Sequence, residues 1–66
     1  MNVTVNDTPL SLPEGATLAD ALATRTMPPS GVATAVNGTV VPAALRGSHA
    51  LTEGDRIVII KAFYGG

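Results

Sequence analysis

The chain has 66 residues, which suits one small domain; a chain of this size buries only about 60% of the surface that its unfolded state exposes. Hydrophobic residues make up 45% and charged residues 14%, the reverse of a disorder signature, and with aromatics at 3% the core must be built from Val, Ile, Leu and Ala. The net charge is −1 with Arg25, Arg46, Arg56 and Lys61 scattered, so no basic stripe exists to bind nucleic acid, and the absence of cysteine removes disulfides, thiolate metal sites and side-chain persulfides.

Residues 1–7 have neither the basic nor the long apolar region of a signal peptide. The densest apolar run, residues 57–60, is far too short to cross a membrane. The chain reads as soluble and cytoplasmic.

Met1, Val3 and Val5 are apolar while Asn2 and Thr4 are polar, the period of two that marks a strand with one buried face. Asn6 and Asp7 are turn formers, and Leu10-Ser11-Leu12 resumes the alternation, predicting a hairpin. Pro9 cannot donate to a ladder, which places the second strand at a sheet edge. After the break at Pro13-Glu14-Gly15, Thr17 reads as a helix N-cap, with Asp20 completing a capping box. Leu18, Ala21 and Leu22 give the short helix one apolar stripe, and Pro28-Pro29 rules out its continuation.

Gly31 opens a strand over residues 32–36, and Asn37-Gly38, both tolerant of positive φ, is a strong hairpin signal. Thr39-Val40-Val41 returns and stops at Pro42, and residues 43–45 suit a helical turn. Thr52-Glu53-Gly54-Asp55 is a tight turn feeding a last strand over residues 56–61. Ile57, Val58, Ile59 and Ile60 do not alternate, which predicts a central strand covered on both faces. Residues 62–66 then run out as a flexible tail. The order strand, strand, helix, strand, strand, strand predicts an α+β fold, with a mixed sheet of about five strands packed on one helix and the first and last strands parallel. This is a β-grasp architecture, a single domain over residues 1–66.

The hairpin Val36-Asn37-Gly38-Thr39-Val40-Val41-Pro42, the turn Glu53-Gly54-Asp55-Arg56-Ile57 and the terminal Gly65-Gly66 carry a resemblance over nearly the whole chain. It resembles the ThiS family, the sulfur carrier proteins of thiamine biosynthesis. The family often has a basic residue straight after the Val-Pro pair; this chain has Ala43, with Arg46 the nearest base. The resemblance implies a carrier rather than an enzyme. An E1-like adenylyltransferase would use ATP and Mg²⁺ to adenylate Gly66, and a sulfur donor enzyme would convert the adenylate to a thiocarboxylate. Thiazole synthase would then take the sulfur for thiazole phosphate. No cofactor is bound by the carrier itself, which is expected to be a monomer when free, with no nucleic-acid or membrane partner.

That chemistry suits the residues. A terminal carboxylate, with a pKa of about 3.5, resists attack until adenylation removes its charge and supplies a leaving group. Glycine at both terminal positions lets the backbone enter a narrow channel, with Gly66 bearing the reacting group and Gly65 serving access. Five residues from Ala62 onward reach about 16 Å when extended. Tyr64, Phe63 and Lys61 are the candidate partner contacts, although Phe63 suits a place over the edge of the core equally well and Lys61 a solvated one. His49 lacks a nucleophile motif and reads as a loop residue, while Glu53 and Asp55 read as turn chemistry. The chain contains no P-loop, dinucleotide fingerprint, zinc spacing or Ser/His/Asp set. The alternatives are the small sulfur-carrying subunit of molybdopterin synthase, a ubiquitin-like protein modifier, and an interaction module with an inert tail.

Overall fold

The structure, a computed structural model, describes residues 1–25 and 31–61, with the backbone alone of Lys61. The elements run β1 (Asn2–Val5), β2 (Thr8–Ser11), α1 (Leu18–Thr24), β3 (Val32–Val36), β4 (Thr39–Val41), a 3₁₀ turn (Ala43–Leu45) and β5 (Arg56–Lys61). They form one five-stranded sheet in the order β2-β1-β5-β3-β4. β5 is parallel to β1 and antiparallel to β3, and β2 and β4 are the antiparallel outer strands. This is the mixed sheet and single helix of a β-grasp fold, with the last strand central and Pro9 at an edge, as the sequence predicts.

Local chemistry sets the elements. Asn6 and Asp7 (φ 49 and 67) and then Asn37 and Gly38 (φ 51 and 84) place two left-handed residues in each hairpin turn, the geometry that matches strand twist. Thr17 caps α1: its Oγ1 accepts the Asp20 amide at 3.3 Å, and Asp20 Oδ2 accepts the Thr17 amide at 2.8 Å. The next amides, which no helical carbonyl can satisfy, donate to the loop above, Leu18 to His49 O at 3.0 Å and Ala19 to Arg46 O at 3.1 Å. Pro28-Pro29 lies outside the described residues; the helix ends at Thr24, before it.

The helix buries Leu18, Ala21 and Leu22 against Val3 and Val5 of β1, Val36 and Val41 of the second hairpin, and Ile57 and Ile59 of β5. These pack with Leu12, Ala16 and Leu51 into one aliphatic core. Ile57 is wholly buried, and its register partners Val5 and Val36 lie on either side of it.

One expectation fails. The apolar run in β5 predicts cover on both faces, yet Val58 is 37% exposed and Ile60 60% exposed, while Ile57 and Ile59 are buried. The reason is geometric. Side chains alternate across a strand, and the helix packs its apolar stripe on the face that carries Ile57 and Ile59. The strand is central, but its apolar run continues onto a face that the described residues leave open.

Candidate functional site

The site of interest is the end of β5, because the sequence runs on from there to Gly65 and Gly66. Gly66, Gly65, Tyr64 and Phe63 lie outside the described residues, and so do the side chain of Lys61 and the expected tail over residues 62–66. What the structure describes is the strand that precedes that segment in sequence and the residues that hold it.

β5 is held at its start by the second hairpin. The Asn37 amide donates to Arg56 O at 2.8 Å, and the Arg56 amide donates back to Asn37 Oδ1 at 2.9 Å. Asn37 Nδ2 reaches Asp55 Oδ1 at 2.9 Å. Asp55 is buried, and its other oxygen accepts the Thr52 amide at 2.8 Å, so Asp55 closes the turn and ties it to the hairpin. Burial pushes the Asp55 carboxyl up, but hydrogen bonds from the Thr52 backbone, the Asn37 side chain and the Thr52 hydroxyl, with the charge of His49 last, outweigh it. The carboxyl lies below its ordinary value. Both acids of the turn are thus used structurally, Glu53 by accepting the Asn2 amide at 2.9 Å.

The far end of β5 is held from two sides. Asn6 takes Ile59 with both ends of its carboxamide, the Ile59 amide donating to Oδ1 at 2.8 Å and Nδ2 donating to Ile59 O at 3.2 Å. On the other side, Lys61 pairs with Val32, whose carbonyl accepts Nη2 of Arg46 at 2.7 Å. Arg46 is buried, and its Nε also donates to Thr34 Oγ1 at 3.1 Å, which in turn donates to Val41 O at 2.8 Å. The base nearest the Val-Pro pair is therefore a structural brace that ties the loop to β3. His49, half-buried, offers its backbone carbonyl to the helix, as suits a loop residue.

The open face of the sheet adds a surface that sequence reasoning missed as such. Register puts Val40, Ala35 and Val58 in one row across three strands, with Ala33 beside Ile60 in the next. Val40 is 71% exposed, so together with Val58 and Ile60 it gives the sheet a solvent-facing aliphatic patch on the strand that leads to the tail. The signal was present in the sequence: an apolar residue on the outward phase of a strand, where alternation calls for a polar one. Among the described residues no group of three or more His, Cys, Asp or Glu side chains gathers to hold a metal, and no helix is long and apolar enough to cross a membrane.

Comparison with known proteins agrees with this geometry. The model of the ThiS family matches residues 2–66. The crystal structure of a thiamine biosynthesis protein (ThiS) from Geobacter metallireducens superposes with a TM-score of 0.83 at 23% identity, covering 100% of both chains. An NMR solution structure of a thiamine biosynthesis protein from the same organism gives 0.75 at 25% identity, covering 100% of this chain and 87% of the other. No curated protein sequence matches the chain.

Proposed function

The chain belongs to the ThiS family, the non-catalytic sulfur carriers of thiamine biosynthesis, and from that premise we propose that Gly66 is the atom-bearing end of the carrier. An E1-like adenylyltransferase activates it: a carboxylate oxygen attacks the α-phosphorus of ATP, the bond to the β-phosphate oxygen breaks, and pyrophosphate leaves. Hydrosulfide, or sulfur delivered at that oxidation level by a donor enzyme, attacks the acyl carbon and expels AMP, leaving a thiocarboxylate. Thiazole synthase takes the sulfur in exchange for an oxygen, which regenerates the carboxylate. ATP and Mg²⁺ belong to the activating enzyme, and the cycle runs in the cytoplasm with a carrier that is monomeric between partners.

The observation that carries this reading is the aliphatic patch on β5, the strand whose sequence runs on to Gly66. Val58 and Ile60 face outward from β5, whose continuation leads to Gly66. A partner that covers the rows of Val40, Ala35 and Val58 and of Ala33 and Ile60 has the tail within reach, and about 16 Å of extended chain takes the carboxylate into a buried active site. Gly65 gives the backbone access, and Tyr64, Phe63 and Lys61 extend the contact.

Reconstitution tests the reading. The carrier treated with its activating enzyme, ATP, Mg²⁺ and sulfide should support thiazole phosphate formation by thiazole synthase, and the chain lacking Gly66 should not. Transfer to molybdopterin precursor instead, or an isopeptide bond from Gly66 to lysine, would replace it with one of the other sulfur-carrier or modifier readings.

A further inference from the structure

β1 pairs with β5 over only two register positions, Thr4 with Arg56 and Val5 with Ile57. The main chain makes one more bond, from the Asn6 amide to Ile57 O at 2.9 Å, and then the left-handed pair Asn6 and Asp7 carries it away into β2. At that point the Asn6 side chain takes over. Its oxygen accepts the Ile59 amide at 2.8 Å and its nitrogen donates to the Ile59 carbonyl at 3.2 Å, the acceptor and donor that two residues of a continuing parallel strand would present.

We propose that Asn6 is a positioning residue for the reaction at Gly66: its carboxamide stands in for the missing continuation of β1, holds Ile59, and so fixes the end of β5 that precedes the C-terminal segment in sequence. The ordinary reason for asparagine at this place, tolerance of positive φ in a hairpin turn, accounts for the backbone but not for the two-ended grip on a residue 53 positions away. Glycine would meet the first need as well; the second requires an amide. The opposite flank is treated alike. β4 stops at Val41, and beyond it Arg46 Nη2 binds the carbonyl of Val32, the residue that pairs with Lys61. Asn6 thus holds β5 directly, while Arg46 holds β3, the strand that pairs with the end of β5. A tail launched from a fixed point enters a partner's channel with less orientational freedom to lose.

The proposal rests on Gly66 being the activated end, and the test separates the two. Asn6→Gly keeps the left-handed turn and removes the amide; Asn6→Asp keeps the acceptor for the Ile59 amide and removes the donor. Amide hydrogen exchange needs no enzyme: Ile59 should exchange at least tenfold faster in Asn6→Gly and at an intermediate rate in Asn6→Asp, with Val36 and Val58 unchanged. In activation assays kcat for thiocarboxylate formation should fall several-fold with KM for the carrier held within twofold, and Asn6→Asp should recover part of it. Unchanged exchange at Ile59 overturns the proposal, and so does faster exchange with intact kcat. A kcat loss that only tracks the unfolded fraction also overturns it, since that is a plain stability effect. If the wild-type chain is not activated at all, the reading of Gly66 fails, and the exchange data still decide whether Asn6 holds Ile59.

Discussion

Nδ2 of Asn37 donates to Oδ1 of Asp55 at 2.9 Å, joining the tip of one hairpin to the turn that launches the last strand. The same Asp55 oxygen accepts the Thr52 hydroxyl at 3.0 Å, and the second accepts the Thr52 amide, so one buried carboxylate organises both turns at this end of the sheet. Its folded pKa lies below its unfolded value of about 3.9. The stabilisation it gives is therefore present above that value and is lost as pH falls through the folded one. Urea unfolding followed from pH 7 down to pH 2 should show Asp55→Ala about 1–3 kcal/mol less stable at neutral pH. The gap should close below about pH 4, where the unfolded chain's carboxyl begins to take up protons.

The two faces of β5 should respond oppositely to truncation. Ile57 is fully buried, and Ile57→Ala should cost about 2–5 kcal/mol, enough to unfold much of a chain this small at 37 °C. Ile60→Ala removes a larger exposed surface from the same strand and should change stability by no more than about 0.5 kcal/mol. Thermal melts of the two variants decide the point.

If the aliphatic patch is where the activating enzyme sits, a charge placed there should weaken docking without unfolding the carrier. Ile60→Asp or Val40→Asp should raise KM for activation about tenfold, a loss of roughly 1.4 kcal/mol, while the circular dichroism spectrum and Tm stay near wild type. Unchanged KM for both variants would move the docking surface elsewhere.

The helix depends on its N-terminal box. Thr17→Ala removes the acceptor for the Asp20 amide and should lower stability by about 1 kcal/mol, whereas Thr17→Ser should retain most of it. Denaturant midpoints at pH 7 measure the difference.

Most of the architecture was legible because each element carries its own local chemistry. The Thr17–Asp20 box, the Asn37-Gly38 turn, Pro9 on an edge and the central place of β5 follow from capping, positive φ, a missing donor and an apolar run respectively. What could not be read from the chain was tertiary. An apolar run says that a strand is hydrophobic, not which face is covered, so Val58 and Ile60 read as core although they form a surface. In sequence Arg46 is only the base nearest the Val-Pro pair, and the fold alone brings Val32 and Thr34 to its guanidinium. Asn6 announced a turn, but its grip on Ile59 spans 53 residues and leaves no local mark. Of the site residues, Gly65 and Gly66 rest on the family pattern, whereas the contacts that hold the end of β5 had to be seen.

The central claim, that Gly66 carries sulfur, is tested most directly by intact-protein mass spectrometry after incubation with ATP, Mg²⁺, sulfide and the activating enzyme. The account predicts a mass gain equal to exchanging one oxygen for one sulfur, absent without ATP and absent when Gly66 is deleted. No gain with an activating enzyme proven on another ThiS carrier, or a gain that survives deletion of Gly66, would contradict it.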